Sequence, residues 1–282
     1  MQDKAQLEIQ CQNEYQTLKS VITVSPEYMA ITEVINETQN HYANDNINTK
    51  IASEQHQGLV KVLQAQGVAV QELPPQADLN EQVFTRDIGF TIGGDLFICN
   101  MARDIRKKEV KVLINWLEKS GVPYKQCEVP SIEGGDVIVD GEQVWVGLSG
   151  RTTRAAVEAL QTELPTYKVQ PLQLREDILH LDCVFNVINN DTALIYPEAF
   201  TKADYKKLNQ HYNLITITEE EQFLMGPNVL AVGEGKVISL PENKRINEAL
   251  TKAGFEVIEV PFSEIIKSGG SFRCCTLPLL RK

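Results

Sequence analysis

Apolar and polar positions along the chain follow two rhythms, and the pair recurs. In "LVKVLQAQGVAVQELP", Leu59, Val60, Leu63 and Ala65 fall roughly on one helical face, and Gly67 stands where a helix would stop. "VAVQEL" then switches to the every-other-residue period of a strand ending at Pro74. The same order of helix, turn and strand returns in "LINWLEKSGVPYKQCEVP" to Pro130, "AVEALQTELPTYKVQPLQL" to Leu174, "YKKLNQHYNLITIT" to Thr218 and "INEALTKAGFEVIEVP" to Pro261. These five units are spaced by about 43 to 56 residues, and self-similarity at such a period predicts a repeat or propeller-like architecture.

Between the units lie hairpin signatures. "GFTIGGDLFIC", "DVIVDGEQVWVG", "NVINNDTALIY" and "NVLAVGEGKVISL" each set a Gly/Asn/Asp turn between two apolar runs. Four hairpins for five units leave one to be assembled from distant pieces. "SVITVSP" near the start and "SFRCCTLPL" at the end supply them, so the ring is expected to close by pairing its own terminal strands. The alternative is an open α/β sheet with regular loops. Each unit alone would expose a hydrophobic face, so residues 1–282 are expected to form a single domain, an α/β propeller of five pseudo-symmetric blades. The polar, Asn-rich stretch from Thr38 to Lys50 reads as a mobile loop long enough to cover a central site.

Composition narrows the setting. No apolar run approaches the roughly 20 residues needed to span a bilayer, and the start, "MQDKAQLEIQ", is polar and unlike a secretory signal. A net charge of −11 argues against a broad nucleic-acid surface. The six cysteines, Cys11, Cys99, Cys127, Cys183, Cys274 and Cys275, show no C-x-x-C spacing, which argues against a zinc or thioredoxin-like site. Their apolar surroundings suit buried free thiols in a reducing cytoplasm.

The informative residues are charges beside apolar strands, since an unpaired buried charge is costly. They recur at the start of the hairpins: Arg86 and Asp87 in "VFTRDIGF", Glu133 and Asp136 in "SIEGGDVIV", His180 and Asp182 in "DILHLDCVF", Arg273 and Cys274 in "GGSFRCCTL". Taken singly each has an ordinary structural reading: a satisfied core histidine, turn carboxylates, a small core thiol. In a five-unit ring equivalent positions converge on the axis, so the four clusters are expected to meet in one pocket. His180 and Asp182, two apart in an expected strand, would point to the same side. A His–Asp pair near a cysteine has the parts for nucleophilic catalysis. Asp87, Glu133 and Asp182 make the pocket anionic and suited to a planar cation with several N–H donors, such as a guanidinium. Arg151 in "VGLSGRTT" could bind a carboxylate at the rim, or be a solvated turn residue. Arg106 in "RDIRKKE" lies in what reads as a basic surface run.

The motifs "FTRD", "EGGDV", "GLSGRT", "HLDCVF" and "GGSFRCCTLP", in this order from Phe84 to Pro278, resemble those of the guanidino-group-modifying enzymes of the pentein superfamily. That group includes arginine deiminase, dimethylarginine dimethylaminohydrolase and the amidinotransferases, and its fold is a five-bladed α/β propeller. The resemblance implies Cys274 as nucleophile, His180 as general acid/base and Glu133 as the carboxylate that positions it. It implies Asp87 and Asp182 as guanidinium ligands, and Arg151, less directly Arg106, as holders of a substrate carboxylate. It also implies no metal and no cofactor. Cys275 falls where relatives often carry an apolar residue, and adjacent strand residues point to opposite sides, leaving Cys275 to packing.

The implied reaction is attack of the Cys274 thiolate on the guanidinium carbon, with the His180 imidazolium protonating the departing amine. Neutral His180 then activates water, and hydrolysis of the thiouronium intermediate gives a ureido product such as citrulline. Chain length resembles the dimethylargininase-like enzymes, whereas "FTRD" and "HLD" look closer to arginine deiminase. Asp182, an acid that dimethylargininase types generally lack, suits an unmethylated guanidinium with more N–H donors. The expected partner is therefore a small guanidino substrate related to arginine, with no nucleic acid or membrane. A homodimer is compatible with the chain, although no interface can be read from it. Two alternatives stay open: an amidinotransferase, which shares the thiouronium intermediate, and a non-catalytic arginine-binding protein.

Overall fold

Each helix–strand unit of the sequence folds as part of one blade. The computed structural model describes residues 7–127 and 130–282; residues 1–6 of the polar start and residues 128 and 129 of the second unit lie outside the described residues. The first unit is β1 (Leu18–Val24), α1 (Glu37–Tyr42), α2 (Thr49–Ala65) and β2 (Ala69–Leu73). It is followed by β3 (Gly89–Ile92), β4 (Asp95–Ile98), α3 (Lys107–Ser120) and β5 (Lys125–Gln126). The third unit is β6 (Val137–Asp140), β7 (Gln143–Leu148), α4 (Arg154–Glu163) and β8 (Lys168–Gln173). The fourth is β9 (Phe185–Val187), β10 (Thr192–Ile195), α5 (Lys202–His211) and β11 (Asn213–Thr216). After a short α6 (Glu219–Phe223) come β12 (Leu230–Gly233), β13 (Lys236–Ser239), α7 (Lys244–Lys252), β14 (Glu256–Glu259) and finally β15 (Leu277–Arg281).

Five three-stranded sheets result, ordered β3-β4-β5, β6-β7-β8, β9-β10-β11, β12-β13-β14 and β15-β1-β2. In the first four an antiparallel hairpin is followed, across the helix, by a parallel third strand. The fifth repeats the pattern with β15 in place of a local hairpin partner. It runs antiparallel to β1, with Val21 opposite Pro278 and Ile22 opposite Leu277, while β2 runs parallel on the other side. The hairpin split between the two ends of the chain is therefore present, and it closes the ring.

The helices lie outside, each with its apolar stripe on its own sheet: Leu59 and Leu63 of α2, Val112, Leu113 and Leu117 of α3, Ile246 and Leu250 of α7 are buried. Gly67, just past α2, sits at φ 78°, a left-handed conformation that a glycine adopts without a Cβ penalty. The first hairpin strands are buried on both faces, as in Gly89–Ile92 and Leu230–Gly233. They therefore read as short apolar runs and lose the alternation of half-exposed strands. Among the described residues no helix is long and apolar enough to cross a membrane.

Three local expectations are corrected. The stretch Thr38 to Lys50 is not a plain loop: Thr38–Tyr42 completes α1, and Gln39 is fully buried. Cys274 and Cys275 are not in a strand. They lie in a tight turn ahead of β15, closed by Cys275 N–H to Ser271 O at 3.0 Å and Thr276 N–H to Arg273 O at 3.1 Å. His180 and Asp182 likewise flank and enter a 3-10 turn, Leu181–Cys183, and not a strand. In all three places buried polar side chains satisfy the backbone better than a sheet ladder would.

Candidate active site

One tight turn precedes the inner strand of every blade, and these turns aim polar side chains at the axis. Asp87 stands before β3. Glu133 precedes a 3-10 turn, Gly134–Asp136, that leads into β6, and His180 precedes the turn that leads into β9. Cys274 stands before β15. All four are at most 3% exposed. Gly135 makes the convergence possible, because a Cβ there would lie 2.8 Å from both Asp87 Oδ1 and the His180 ring.

His180 is held between two carboxylates. Its Nε2 is 2.8 Å from Glu133 Oε2, and its Nδ1 is 3.6 Å from Asp87 Oδ1. Neither Nδ1 nor that Asp87 oxygen has another hydrogen-bond partner. Glu133 is fixed in turn by the Ala102 N–H at 3.0 Å and by Arg151 Nη1 at 3.3 Å. Burial opposes charge on the imidazole, but Asp87 and Glu133 outweigh it and raise the His180 pKa to about 10. Burial likewise opposes the Glu133 carboxylate, yet His180 and Arg151 hold its pKa down at about 2. The neighbouring acids thus favour the protonated form of the His180 imidazole.

Behind the nucleophile candidate, Asp182 places Oδ2 3.5 Å from Cys274 Sγ. Burial raises the Asp182 pKa. Asp182 and Glu133 do not themselves line the central cavity; they lie against the residues that do. The cavity wall includes Asp87, His180, Cys274, Arg106, Arg151 and Glu81, and its free volume is about 10 Å³, the room of a single water. A larger cleft elsewhere among the described residues, lined by Phe97, Cys127 and Ala159, brings no comparable set of groups together.

The segment leading into α1 closes this cavity. Arg151 Nη2 donates to Ile35 O at 2.9 Å, Asn36 Nδ2 to Ser268 O at 3.1 Å, and Gln39 Nε2 to Glu81 Oε1 at 2.9 Å. Glu81 had no signal in the sequence. Burial raises its pKa to about 7, with Ser268 and Arg106 acting against that shift.

Arg106 is not part of a basic surface run. It is 2% exposed, with Nη1 2.5 Å from Asp87 Oδ2 and Nε and Nη2 on Glu109. Nη2 also donates to the carbonyls of Glu81 and Phe84. Its guanidinium is thus a fixed counter-charge to Asp87. Unlike Arg106, Arg86 and Arg273 are absent from the cavity wall. Both close on the buried carboxylate of Glu14, Arg273 Nη1 at 2.5 Å and Arg86 Nη1 at 3.6 Å. Arg273 Nε also stands 3.5 Å from Asp182 Oδ2, and Arg86 Nε donates to Thr276 O at 3.1 Å, so Arg273 links Glu14 to the carboxylate behind Cys274.

Donor atoms of Asp87, Glu133 and His180 lie within 4.8 Å of one another, as do those of Asp182, Cys183 and Cys274. In the first group Arg106 and Arg151 already neutralise the carboxylates, so a metal ion there would have to displace two buried cations.

The fifth blade carries no charge at this position. Asn228, before β12, occupies the position equivalent to the other four. Its Oδ1 accepts from Cys274 N–H at 3.1 Å and Ser271 N–H at 3.2 Å, and its Nδ2 donates to Asp182 O and Cys274 Sγ, each at 3.1 Å. Every hydrogen-bonding site of the amide is used. Place in the repeat was the available signal, but the residue is neutral. Asn228→Ala is expected to lower stability by about 1–3 kcal/mol for each buried group left unpaired, read from denaturant unfolding. Asn228→Asp keeps the acceptor but sets a carboxylate oxygen against the sulfur. It is expected to retain more stability than Ala and to slow alkylation of Cys274 by repelling the thiolate.

Comparison with known proteins identifies the family and the fold. The sequence model of the family described as N,N dimethylarginine dimethylhydrolase, eukaryotic, matches residues 25–281. The uncharacterized protein YkgA of Bacillus subtilis (strain 168) is 48% identical, the match covering 99% of this chain and 97% of that one. The N(G),N(G)-dimethylarginine dimethylaminohydrolase of Mycobacterium tuberculosis is 29% identical over 90% of this chain and 83% of its own. Among solved structures, the N-terminal domain of ArgZ, an arginine dihydrolase from the ornithine–ammonia cycle in cyanobacteria, superposes with a TM-score of 0.84. It covers 93% of this chain and 98% of its own at 23% identity, which shows a shared fold.

Proposed function

Because the chain belongs to the N,N dimethylarginine dimethylhydrolase family of the pentein superfamily, we propose that it is a cysteine-dependent hydrolase that cleaves a guanidino C–N bond of arginine or an N-substituted arginine. The products are citrulline and ammonia or an amine. The observation that carries this reading is the meeting of Cys274, His180 and Asp87 on one cavity wall, with Glu133 and Asp182 immediately behind. Residues 1–282 would act as one domain, since the blade that carries Cys274 is built from both ends of the chain.

The substrate guanidinium would enter against Asp87, whose Oδ1 has no hydrogen-bond partner and can accept one of its N–H groups, and Asp182, behind Cys274, would serve as a second carboxylate once the site opens. This places the central carbon against Cys274 Sγ. Attack forms a C–S bond, and the His180 imidazolium gives its proton to the departing nitrogen. The neutral imidazole then takes a proton from water, whose oxygen displaces the sulfur to leave a ureido group. Glu133 holds the ring in place at Nε2 throughout.

A guanidino side chain is far larger than the closed cavity, so the segment Ile35–Gln39 must lift to admit it. Arg151 is the carboxylate holder this arrangement favours. The Ile35 carbonyl it now binds is a neutral acceptor that a substrate carboxylate can replace with a charge-assisted pair. Arg106, committed to Glu109 and Asp87, serves as counter-ion.

Arginine, mono- and dimethylated arginines and agmatine, each assayed for ureido product, form the test. Turnover is expected to be highest with an arginine-type substrate that carries an α-carboxylate. Arg151→Ala should raise KM for it by about 10-fold or more, the worth of one lost charge-assisted contact of roughly 1.5–3 kcal/mol. Absence of product with every substrate would remove the reading.

A further inference from the structure

Cys183 has no part in the chemistry above, yet its sulfur stands beside the nucleophile. The Sγ atoms of Cys183 and Cys274 lie within 4.8 Å of each other. Cys183 is 1% exposed and does not line the cavity, so it approaches Cys274 from the protein side. Its Sγ is also 3.6 Å from Asp182 Oδ1 and 3.9 Å from Gly269 O. Both cysteines belong to short turns, Leu181–Cys183 and the turn ahead of β15, where small rotations are less costly than within a sheet.

We propose that Cys183 is a resolving cysteine for Cys274, and that a small hydroperoxide oxidises the pair to an intramolecular disulfide. In the first step the Cys274 thiolate takes an oxygen from hydrogen peroxide, giving the sulfenic acid and hydroxide. In the second, the Cys183 sulfur attacks the Cys274 sulfur. The S–S bond forms, the S–O bond breaks, and the hydroxyl leaves with the Cys183 proton as water. Peroxide is the two-electron oxidant, and both sulfurs are oxidised by one electron each. The cavity against Cys274 is about 10 Å³, and hydrogen peroxide, with two heavy atoms, needs far less opening to reach the sulfur than a guanidino substrate does. Bond formation needs the sulfurs to close to about 2.05 Å. The disulfide would shelter Cys274 from the irreversible sulfinic and sulfonic states.

Other thiols are poorer partners. Cys275 is the sequence neighbour, and a bond between adjacent cysteines demands a strained ring. Cys99 and Cys127 pack in or against a different core cluster, with Phe97 and Ile98.

The proposal rests on Cys274 being the reactive thiol, but its primary test does not need turnover. Reduced full-length protein, with a chelator to exclude metal, is titrated with hydrogen peroxide, alkylated, digested without reductant and mapped by mass spectrometry. Cys274 and Cys275 follow Arg273 in one tryptic peptide, so the mapping is repeated on Cys275→Ala. A Cys183–Cys274 link that dithiothreitol removes is expected in both proteins. Cys183→Ala should keep the basal reactivity of Cys274 toward iodoacetamide. After peroxide and then dithiothreitol, it should recover at least about tenfold less free Cys274 than the parent protein, the remainder being over-oxidised. Oxidation of Cys274 in the parent protein without the link, or equal recovery in Cys183→Ala, would overturn the proposal. A link without turnover on any guanidino substrate would instead sink the assigned reaction and leave the redox pair standing.

Discussion

Cys274→Ser is expected to lower turnover of an arginine-type substrate by a factor of about 10³ or more, because a serine hydroxyl is a far weaker nucleophile and no base is placed to activate it. Asp182 and Asn228 touch the sulfur, but they do not replace a proton acceptor for an alcohol. Fold should be preserved, since the side chain is close in size and Asn228 can still bond the residue 274 backbone. Cys275 provides the contrast. It is fully buried in an apolar cluster with Phe272 and Phe262, and it is absent from the cavity wall. Cys275→Ala should keep turnover within a few-fold. Cys275→Ser should also keep most of it, but with a lower melting temperature, as a hydroxyl there has no evident partner. Steady-state citrulline formation and thermal unfolding, measured side by side on the three variants, check the set. If the serine change at 275 abolished turnover and that at 274 did not, the assignment of the nucleophile would be reversed.

The two cysteines also mark how far the sequence could be read. The ring, its five sheets and the hairpin shared between the termini were all legible, because they follow from a hydrophobic period repeated five times. The tight turns at the axis were not. A buried apolar run ahead of β15 looks the same whether it is strand or turn, and only the hydrogen bonds accepted by Ser271 O, Arg273 O and Asn228 Oδ1 distinguish them. The alternation used to separate Cys274 from Cys275 therefore does not apply, although Cys274 is the one on the cavity wall. Charges gave away Asp87, Glu133, His180 and Asp182, since a charge beside an apolar strand stands out. Asn228 stayed hidden because its contribution is an amide in a polar-tolerant Gly-Pro-Asn stretch. Arg86 and Arg273 misled for a related reason: repeat position brings a residue near the axis but does not say which way its side chain turns, and Glu14 draws both, with Asp182 as a second partner of Arg273. Arg106 belongs with them, because a guanidinium inside a run of lysines reads as solvated until its carboxylate partners, remote from it or three residues on, are in view.

Removing the charge on Glu133 should have the second large effect, and its signature is in the pH dependence. Glu133→Gln leaves a hydrogen-bonding group of the same size beside His180 Nε2 but takes away half of the anionic cradle. Burial then counts more heavily against the imidazolium. The alkaline limb of the rate profile, set in the parent protein by a His180 pKa near 10, should move to lower pH. At neutral pH the loss in kcat is expected to be about 10² to 10⁴, the usual worth of a well-placed general acid. Stability should respond in the same window. His180 has a folded pKa raised above its ordinary 6.5, so the stability it contributes is whole below that value and is lost as pH rises through about 10. Glu133 has a folded pKa depressed from 4.5 to about 2, so its contribution is present above 4.5 and is lost as pH falls through about 2. These are two edges of one ion pair, not two separate gains. The parent protein should therefore show a melting temperature that declines on both sides, and Glu133→Gln should flatten the alkaline decline while lowering the plateau. An alkaline limb that stays in place in Glu133→Gln would mean that Asp87 and Asp136, without Glu133, set the proton affinity of His180.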